Sequence, residues 1–442
     1  MNKKFPKVII VGETFRLNGG GGITMSNLFK DWPDENIGVV TSLIDETNPN
    51  TGYRYYQLGY DEVRFPFPFN LIQNKAISGE YFFSKVTQNT QTSRFDNSFA
   101  IRLKKRLRLL FDKVLSYTGL SLRFNKISLS ANLKSWIMDF SPDIIYIQPF
   151  LYRYMRFGNL LFQELKIPYA IHIMDDSISF INKSLICKKR VQTLMEKDFA
   201  KMIANASVRM CISECMATEY ELRYGEKFQP FRNPIEVEKW LPFQKKHLEV
   251  NSNELKIIYT GRLFPPTFSS LVDLCHIVDR FNKMGMSVKL DIFTYDVNRV
   301  FSELINELYG INLQNPVSVS DIPLLVQYYD IFFMCLDFDD HAMDYAKFSI
   351  STRTSEGMIS SVPILMYGPA ASAMHKFFSL TNAAYLVGER SQALLGDAVT
   401  ELWHNKSLRE KLSSNAASHV IRHNNASTVR EHFRQALSMR LS

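Results

Sequence analysis

One recurring unit constrains this chain more than any other: a short, β-branched apolar run, then a loop, then a helical pattern. The runs in the first half are KVIIVG (7–12), IGVVTSL (37–43), PDIIYIQPF (142–150), PYAIHIMDD (168–176) and VRMCIS (208–213). They show no polar alternation, which is the pattern of strands covered on both faces of a parallel sheet. Helical stretches at 154–166 and 189–206 separate several of them. After a turn signal at Asn233-Pro234 the series restarts with LKIIYTG (255–261), SVKLDIFTY (287–295), DIFFMCLDF (330–338) and VPILMYG (362–368). Helices are expected near 269–284, 299–309, 321–329, 353–360 and 391–415. The chain therefore reads as α/β, with two doubly wound parallel sheets rather than one. Its 442 residues are about three times the usual ~150-residue domain, which agrees.

Composition narrows the function class. Hydrophobic residues at 46% and charged residues at 22% are globular values, so a disordered, collagenous or coiled-coil chain is excluded. The net charge of +8 suits an anionic small ligand or a membrane surface, and no nucleic-acid module is recognisable. No stretch approaches the ~18 apolar residues that span a bilayer. The amino terminus lacks a leader-like apolar core, because Glu13 closes the run VIIVG. A cytoplasmic protein is expected, with at most peripheral contact at the inner face of the plasma membrane. The segment 100–117 is the candidate for that contact: Arg102, Lys104, Lys105, Arg106 and Arg108 interleave with Leu103, Leu107 and Leu110. Cysteines 187, 211, 215, 275 and 335 form no metal-ligand spacing and read as reduced structural thiols.

Three stretches carry candidate chemistry. Gly19, Gly20, Gly21 and Gly22 lie between a buried strand and a helical pattern that begins at Thr24. Four ordered glycines sacrifice about 0.5–1 kcal/mol each relative to alanine, which favours a backbone that approaches an anionic ligand. Neither a P-loop nor a full dinucleotide fingerprint is present. Gly261 and Arg262 stand at the carboxyl end of a strand, where open α/β sheets bind ligands and a guanidinium can grip a phosphate. In KFSISTRTSEGMISSVPILMYGP (347–369) a polar loop enters a helix carrying Glu356, a carboxylate able to accept bonds from vicinal hydroxyls. A D-x-D at Asp337-Phe338-Asp339 reads as a solvated loop tip rather than a metal site.

Taken in order, GGGGITMSNLFKDW (19–32), IHIMDDS (171–177), CISECMATEYELRYG (211–225), YTGRL (259–263) and STRTSEGMISSVPILMYGP (351–369) resemble the family-4-like glycosyltransferases of the GT-B fold, in their bacterial surface-polysaccharide form. The resemblance spans nearly the whole chain and is weakest over 50–130. It implies two Rossmann-like domains facing across a cleft, with an acceptor-side domain at 1–232 and a nucleotide-sugar domain at 233–425. It also implies a last segment, 426–442, crossing back as a helix. The implied reaction moves a sugar from a nucleotide diphosphate to an acceptor hydroxyl on a glycan or lipid-linked acceptor, with no cofactor and no metal.

By the same resemblance Glu356 bonds the ribose hydroxyls, Arg262 contacts the diphosphate, and the glycine loop with Thr24 lies near the donor phosphates or acceptor. The chain departs from the pattern in three places. Phe348 stands where many relatives have a first glutamate, and Thr267 where many have a lysine. Arg353 is inferred to take over the diphosphate contact. His172 falls two positions early for the family's histidine, which moves it inward by about 6–7 Å along a strand. His172 is then a core residue, and Asp175 or Asp176 supplies the catalytic, ligand-facing polar group. The alternatives are a GT-B sugar-nucleotide epimerase and a non-catalytic nucleotide-binding or scaffold protein.

Overall fold

The computed structural model describes residues 5–12, 15, 20–42, 44, 52–65, 70, 76–83, 126–178, 188–250, 253–263, 266–295 and 299–438. The chain divides into two compact units, Met1–Pro230 with His432–Ser442, and Phe231–Glu431. The basic segment 100–117 lies outside the described residues. No described helix is long and apolar enough to cross a membrane.

The first unit is built on an eight-stranded sheet. Its strands are β1 (Val8–Val11), β2 (Ile37–Thr41), β3 (Arg54–Gln57), β4 (Gly79–Tyr81), β5 (Ile144–Ile147), β6 (Tyr169–Ile173), β7 (Val208–Cys211) and β8 (Gln229–Pro230). They lie in the order β4-β3-β2-β1-β5-β6-β7-β8, all parallel except β3 with β4. Every residue of β1, β2, β5 and β6 is buried, as their unalternating apolar sequences require. Gly38 in β2 makes room for a helix: a Cβ there would lie 3.1 Å from the Trp136 ring. That helix, Ala131–Phe140, starts on the Ser130 side-chain cap and buries Leu133, Trp136, Ile137 and Phe140, a single face at helical spacing. The last helix, Ala426–Ser438, contributes Phe433 to this unit. Phe433 is fully buried, 5.0 Å from the Phe29 ring and 5.9 Å from Tyr146. Truncating such an aromatic typically costs about 3–5 kcal/mol.

The second unit has six parallel strands: β9 (Leu255–Thr260), β10 (Val288–Phe293), β11 (Ile311–Gln314), β12 (Ile331–Cys335), β13 (Ile364–Tyr367) and β14 (Ala384–Val387). Their order is β11-β10-β9-β12-β13-β14. Leu255, Ile257 and Tyr259 alternate onto one face, where Leu271, Leu274 and Val278 of helix Phe268–Lys283 close the core with Leu395, Val399 and Leu402. The helix expected over 391–415 is two helices, Gln392–His404 and Lys406–His423. Asn405 breaks the first and caps the second through the Leu408 N–H. The buried guanidinium of Arg409 then donates to the terminal carbonyls of Leu402 and Trp403 and to Leu248. No disulfide joins Cys211, Cys215, Cys275 or Cys335.

Candidate functional site

Each sheet has a point where successive strands leave in opposite directions, and such switch points are where open α/β sheets bind ligands. In the first unit it lies between β1 and β5, and in the second between β9 and β12.

At the second switch point the backbone leaves β9 through Gly261, whose φ of +149° is disfavoured for any residue with a Cβ. A Cβ at 261 would also overlap the guanidinium of Arg353. Arg353 opens the helix Arg353–Ile359, and its guanidinium lies 5.5 Å from the Tyr259 ring centre, a cation–π contact. Tyr259 in turn donates its hydroxyl to the Arg262 carbonyl at 2.9 Å, and Thr267 Oγ1 donates to the same oxygen at 3.1 Å. These bonds fix the main chain of Arg262 while its side chain is exposed.

Glu356 sits one helical turn beyond Arg353. Loss of water around its carboxyl pushes it up to about 7, against the opposing pull of Arg353. Its carboxyl accepts no hydrogen bond from any described residue, although the residue is half-buried. A second polar group nearby is also unsatisfied: Thr260 Oγ1 is buried without a partner. Ile258 pairs with Phe332, and Phe332 packs under Gly357 of the Arg353 helix. Thr260, two residues further along β9, therefore faces the same helix nearer its first turn. A buried hydroxyl left unpaired costs about 1–3 kcal/mol, which a ligand can relieve.

Two of the three departures from the family pattern are filled by inward-facing side chains. Phe348 is buried, and Thr267 is buried with its hydroxyl committed to the main chain. The D-x-D differs from expectation. Asp337 is buried rather than solvated, and it accepts the Ser270 N–H at 2.8 Å, capping the helix Phe268–Lys283. Burial holds its carboxyl above the usual range. Asp339 caps the helix Asp340–Ala346 through the Ala342 N–H. Both aspartates are helix caps, a role that sequence spacing does not distinguish from metal binding.

The remaining expected residues belong to the first unit. Gly20, Gly21 and Gly22 are not a free loop: they form the first turn of the helix Gly20–Leu28, while Gly19 lies outside the described residues. Thr24, in the same helix, is buried. His172 is fully buried in β6, with Nδ1 2.6 Å from the Tyr146 hydroxyl. Asp176 accepts the Tyr220 hydroxyl at 2.9 Å and the Arg223 Nη1 at 3.0 Å, with only 4% of the residue exposed. Both of its oxygens hold the helix Glu214–Tyr224 in place, so the expectation of a catalytic Asp176 gives way to a structural role. Asp175 is half-buried.

This architecture is the GT-B fold, two parallel-sheet Rossmann-like units of α/β type. Solved structures with this fold align over nearly the full chain. A sucrose-phosphate synthase from Thermosynechococcus elongatus aligns with a TM-score of 0.62 at 9% identity, over 98% of each chain. HepE of Anabaena, solved in complex with UDP, gives 0.59 at 11% identity, over 98% of this chain and 100% of HepE. WaaG, a glycosyltransferase involved in lipopolysaccharide biosynthesis, gives 0.56 at 11% identity, over 98% of this chain and 99% of WaaG. No family model and no curated protein sequence matches the chain.

Proposed function

We propose that this chain is a glycosyltransferase that moves a sugar from a nucleoside-diphosphate sugar to an acceptor hydroxyl in bacterial surface-polysaccharide or glycan assembly. The observation that carries this reading is the group at the end of β9. A guanidinium is stacked over Tyr259 beside Gly261, with a carboxyl one turn away that no described residue satisfies. Arg353 and Arg262 would hold the diphosphate and Glu356 the two ribose hydroxyls. HepE binds UDP on the same fold, and WaaG acts in lipopolysaccharide biosynthesis, which supports both the donor class and the pathway class.

In the reaction the bond from the anomeric carbon to the diphosphate oxygen breaks, and its electrons leave with the diphosphate. The acceptor oxygen bonds the carbon and gives up its proton, for which Asp175 is the proposed receiver. Guanidinium charge stabilises the departing diphosphate, so no metal or other cofactor is assigned. The inward Phe348 and Thr267 favour a second reading, a chain that binds sugar nucleotides without transferring them.

Calorimetric titration with UDP-glucose and UDP tests the site. Arg353→Gln and Glu356→Gln should each weaken binding by about 10- to 100-fold, the value of one charged hydrogen bond. Unchanged affinity in both variants would sink the assignment. Release of UDP only when an acceptor is added distinguishes transfer from binding alone, and activity that persists in EDTA supports metal independence.

A further inference from the structure

We infer that the second unit carries a transition-metal site on the last two turns of the helix Lys406–His423, made by His419 and His423, and that it takes a divalent ion of the zinc, nickel or copper type. Of the chain's nine histidines these alone stand four positions apart, the spacing that puts two side chains on one helix face. Their ring centres lie 4.7 Å apart, with the planes 40° from parallel. Two imidazoles on one ion, with metal–nitrogen bonds of about 2.0–2.1 Å and angles between square and tetrahedral, place their ring centres about 4.5–5.4 Å apart. The observed spacing falls in that interval. Turning a ring about its Cβ–Cγ bond leaves its centre nearly in place, so a nitrogen of each ring can be aimed at a shared ion without moving the backbone.

The surroundings suit such an ion. His419 is half-buried, and its ring packs edge-on against Phe377 of the helix Ala373–Thr381 with centres 5.3 Å apart, which fixes one ligand. His423 is exposed and closes its helix, where the terminal carbonyls favour positive charge. Packing on Phe377 accounts for His419, but it does not call for a second imidazole one turn further on. Among the described residues no carboxylate, thiol or third imidazole joins the pair, so water would fill the remaining positions and the ion would exchange readily. Two nitrogen ligands without a carboxylate select against magnesium and calcium. Arg232, whose guanidinium lies 4.4 Å from the Phe377 ring centre, and Arg422 in the last turn add positive charge nearby and keep the affinity moderate. The site takes no part in the proposed transfer step and does not rest on the glycosyltransferase reading.

The test titrates the full chain, without an affinity tag, with Ni²⁺, Cu²⁺ and Mg²⁺. The native chain should bind Ni²⁺ and Cu²⁺ one to one, copper more tightly, and give no saturable heat with Mg²⁺. His423→Gln should weaken both transition metals by at least tenfold, and His419→Gln should do the same. Should His419→Gln not fold, His423→Gln carries the test, because that position is exposed. Electron paramagnetic resonance at one equivalent of Cu²⁺ should show two imidazole nitrogens in the native chain and one in His423→Gln. Saturating Ni²⁺ should raise the thermal midpoint of the native chain and leave that of His423→Gln where it was. Affinity unchanged in His423→Gln, a single-imidazole spectrum from the native chain, or no uptake at all overturns the site. Displacement of Ni²⁺ by an equal concentration of Mg²⁺ overturns the choice of ion class.

Discussion

Asp176 of the first unit and Glu356 of the second both stand near the carboxyl end of a parallel sheet, and each follows a motif that marks it as a candidate. Asp176 is enclosed and doubly bonded, by the Tyr220 hydroxyl and the Arg223 guanidinium. Glu356 is half-buried, raised to about 7, and bonded by no described side chain. A carboxylate whose bonds are completed by the chain's own groups holds structure. One left incomplete at a switch point is available to a ligand. The same contrast separates Asp273, which accepts Tyr367, Arg390 and Gln392, from Glu356 within the second unit.

The largest expected effect breaks this comparison most directly. Asp176→Ala leaves the buried Tyr220 hydroxyl without its acceptor and takes one of two carboxylates from Arg223, which keeps Glu219, and should lower stability by about 3 kcal/mol. Thermal unfolding would show it as a drop in the midpoint of roughly 6–12 °C, with affinity for UDP-glucose unchanged. Glu356→Ala should do the reverse, keeping the midpoint within a few degrees and losing donor affinity. If Asp176→Ala instead abolishes donor binding at an unchanged midpoint, the two carboxylates have been assigned the wrong way round.

An intermediate effect is expected at Gly261. Alanine there meets both the positive φ and the Arg353 guanidinium, so the cation must move. Donor affinity should fall about tenfold or more, as a displaced charged hydrogen bond implies. The partner experiment is Gly261→Ala in an Arg353→Ala background, where the overlap is gone and the further loss should be small. Additive losses in this double-mutant cycle would show that the glycine acts through backbone strain alone.

How far these sites were legible in the sequence follows from the same physics. The fully buried strands β1, β2, β5, β6, β12 and β13 announce themselves, because burial on both faces forces unbroken apolar runs. The strands missed, β3, β4, β8, β11 and β14, are each of four residues or fewer. In β4 (GEY) and β8 (QP) there is no apolar pattern to see, and β11 (INLQ) alternates weakly over four residues. Gly261, Arg353 and Glu356 are expected from motif order, and the structure brings Arg353 against Gly261. What the sequence does not encode locally is which polar groups find partners. Asp337 and Asp176 are satisfied by residues 67 and 44 positions away.

The smallest effect is a pH dependence, and it sharpens the comparison without removing an atom of the scaffold. The Glu356 carboxyl is raised from its ordinary value to about 7 by loss of water, so the folded protein binds that proton more tightly than the unfolded chain does. The resulting stabilisation is complete below about pH 4.5 and is lost as pH rises through 7, when the folded state must carry a poorly solvated charge. Thermal midpoints should therefore fall between pH 4.5 and 7 in the native chain relative to Glu356→Gln, which has no proton to lose. Donor binding should run the opposite way. Two ribose hydroxyls are best accepted by the ionised carboxylate, so affinity for UDP-glucose should decline as pH drops below 7 and be flatter in Glu356→Gln. A nucleotide bound through this carboxylate also supplies hydrogen bonds that no described residue gives it, drawing its pKa back down and releasing a fraction of a proton on binding near neutrality. Calorimetry in buffers of different ionisation enthalpy measures that proton. Its absence in the native chain would mean that the ribose is held elsewhere.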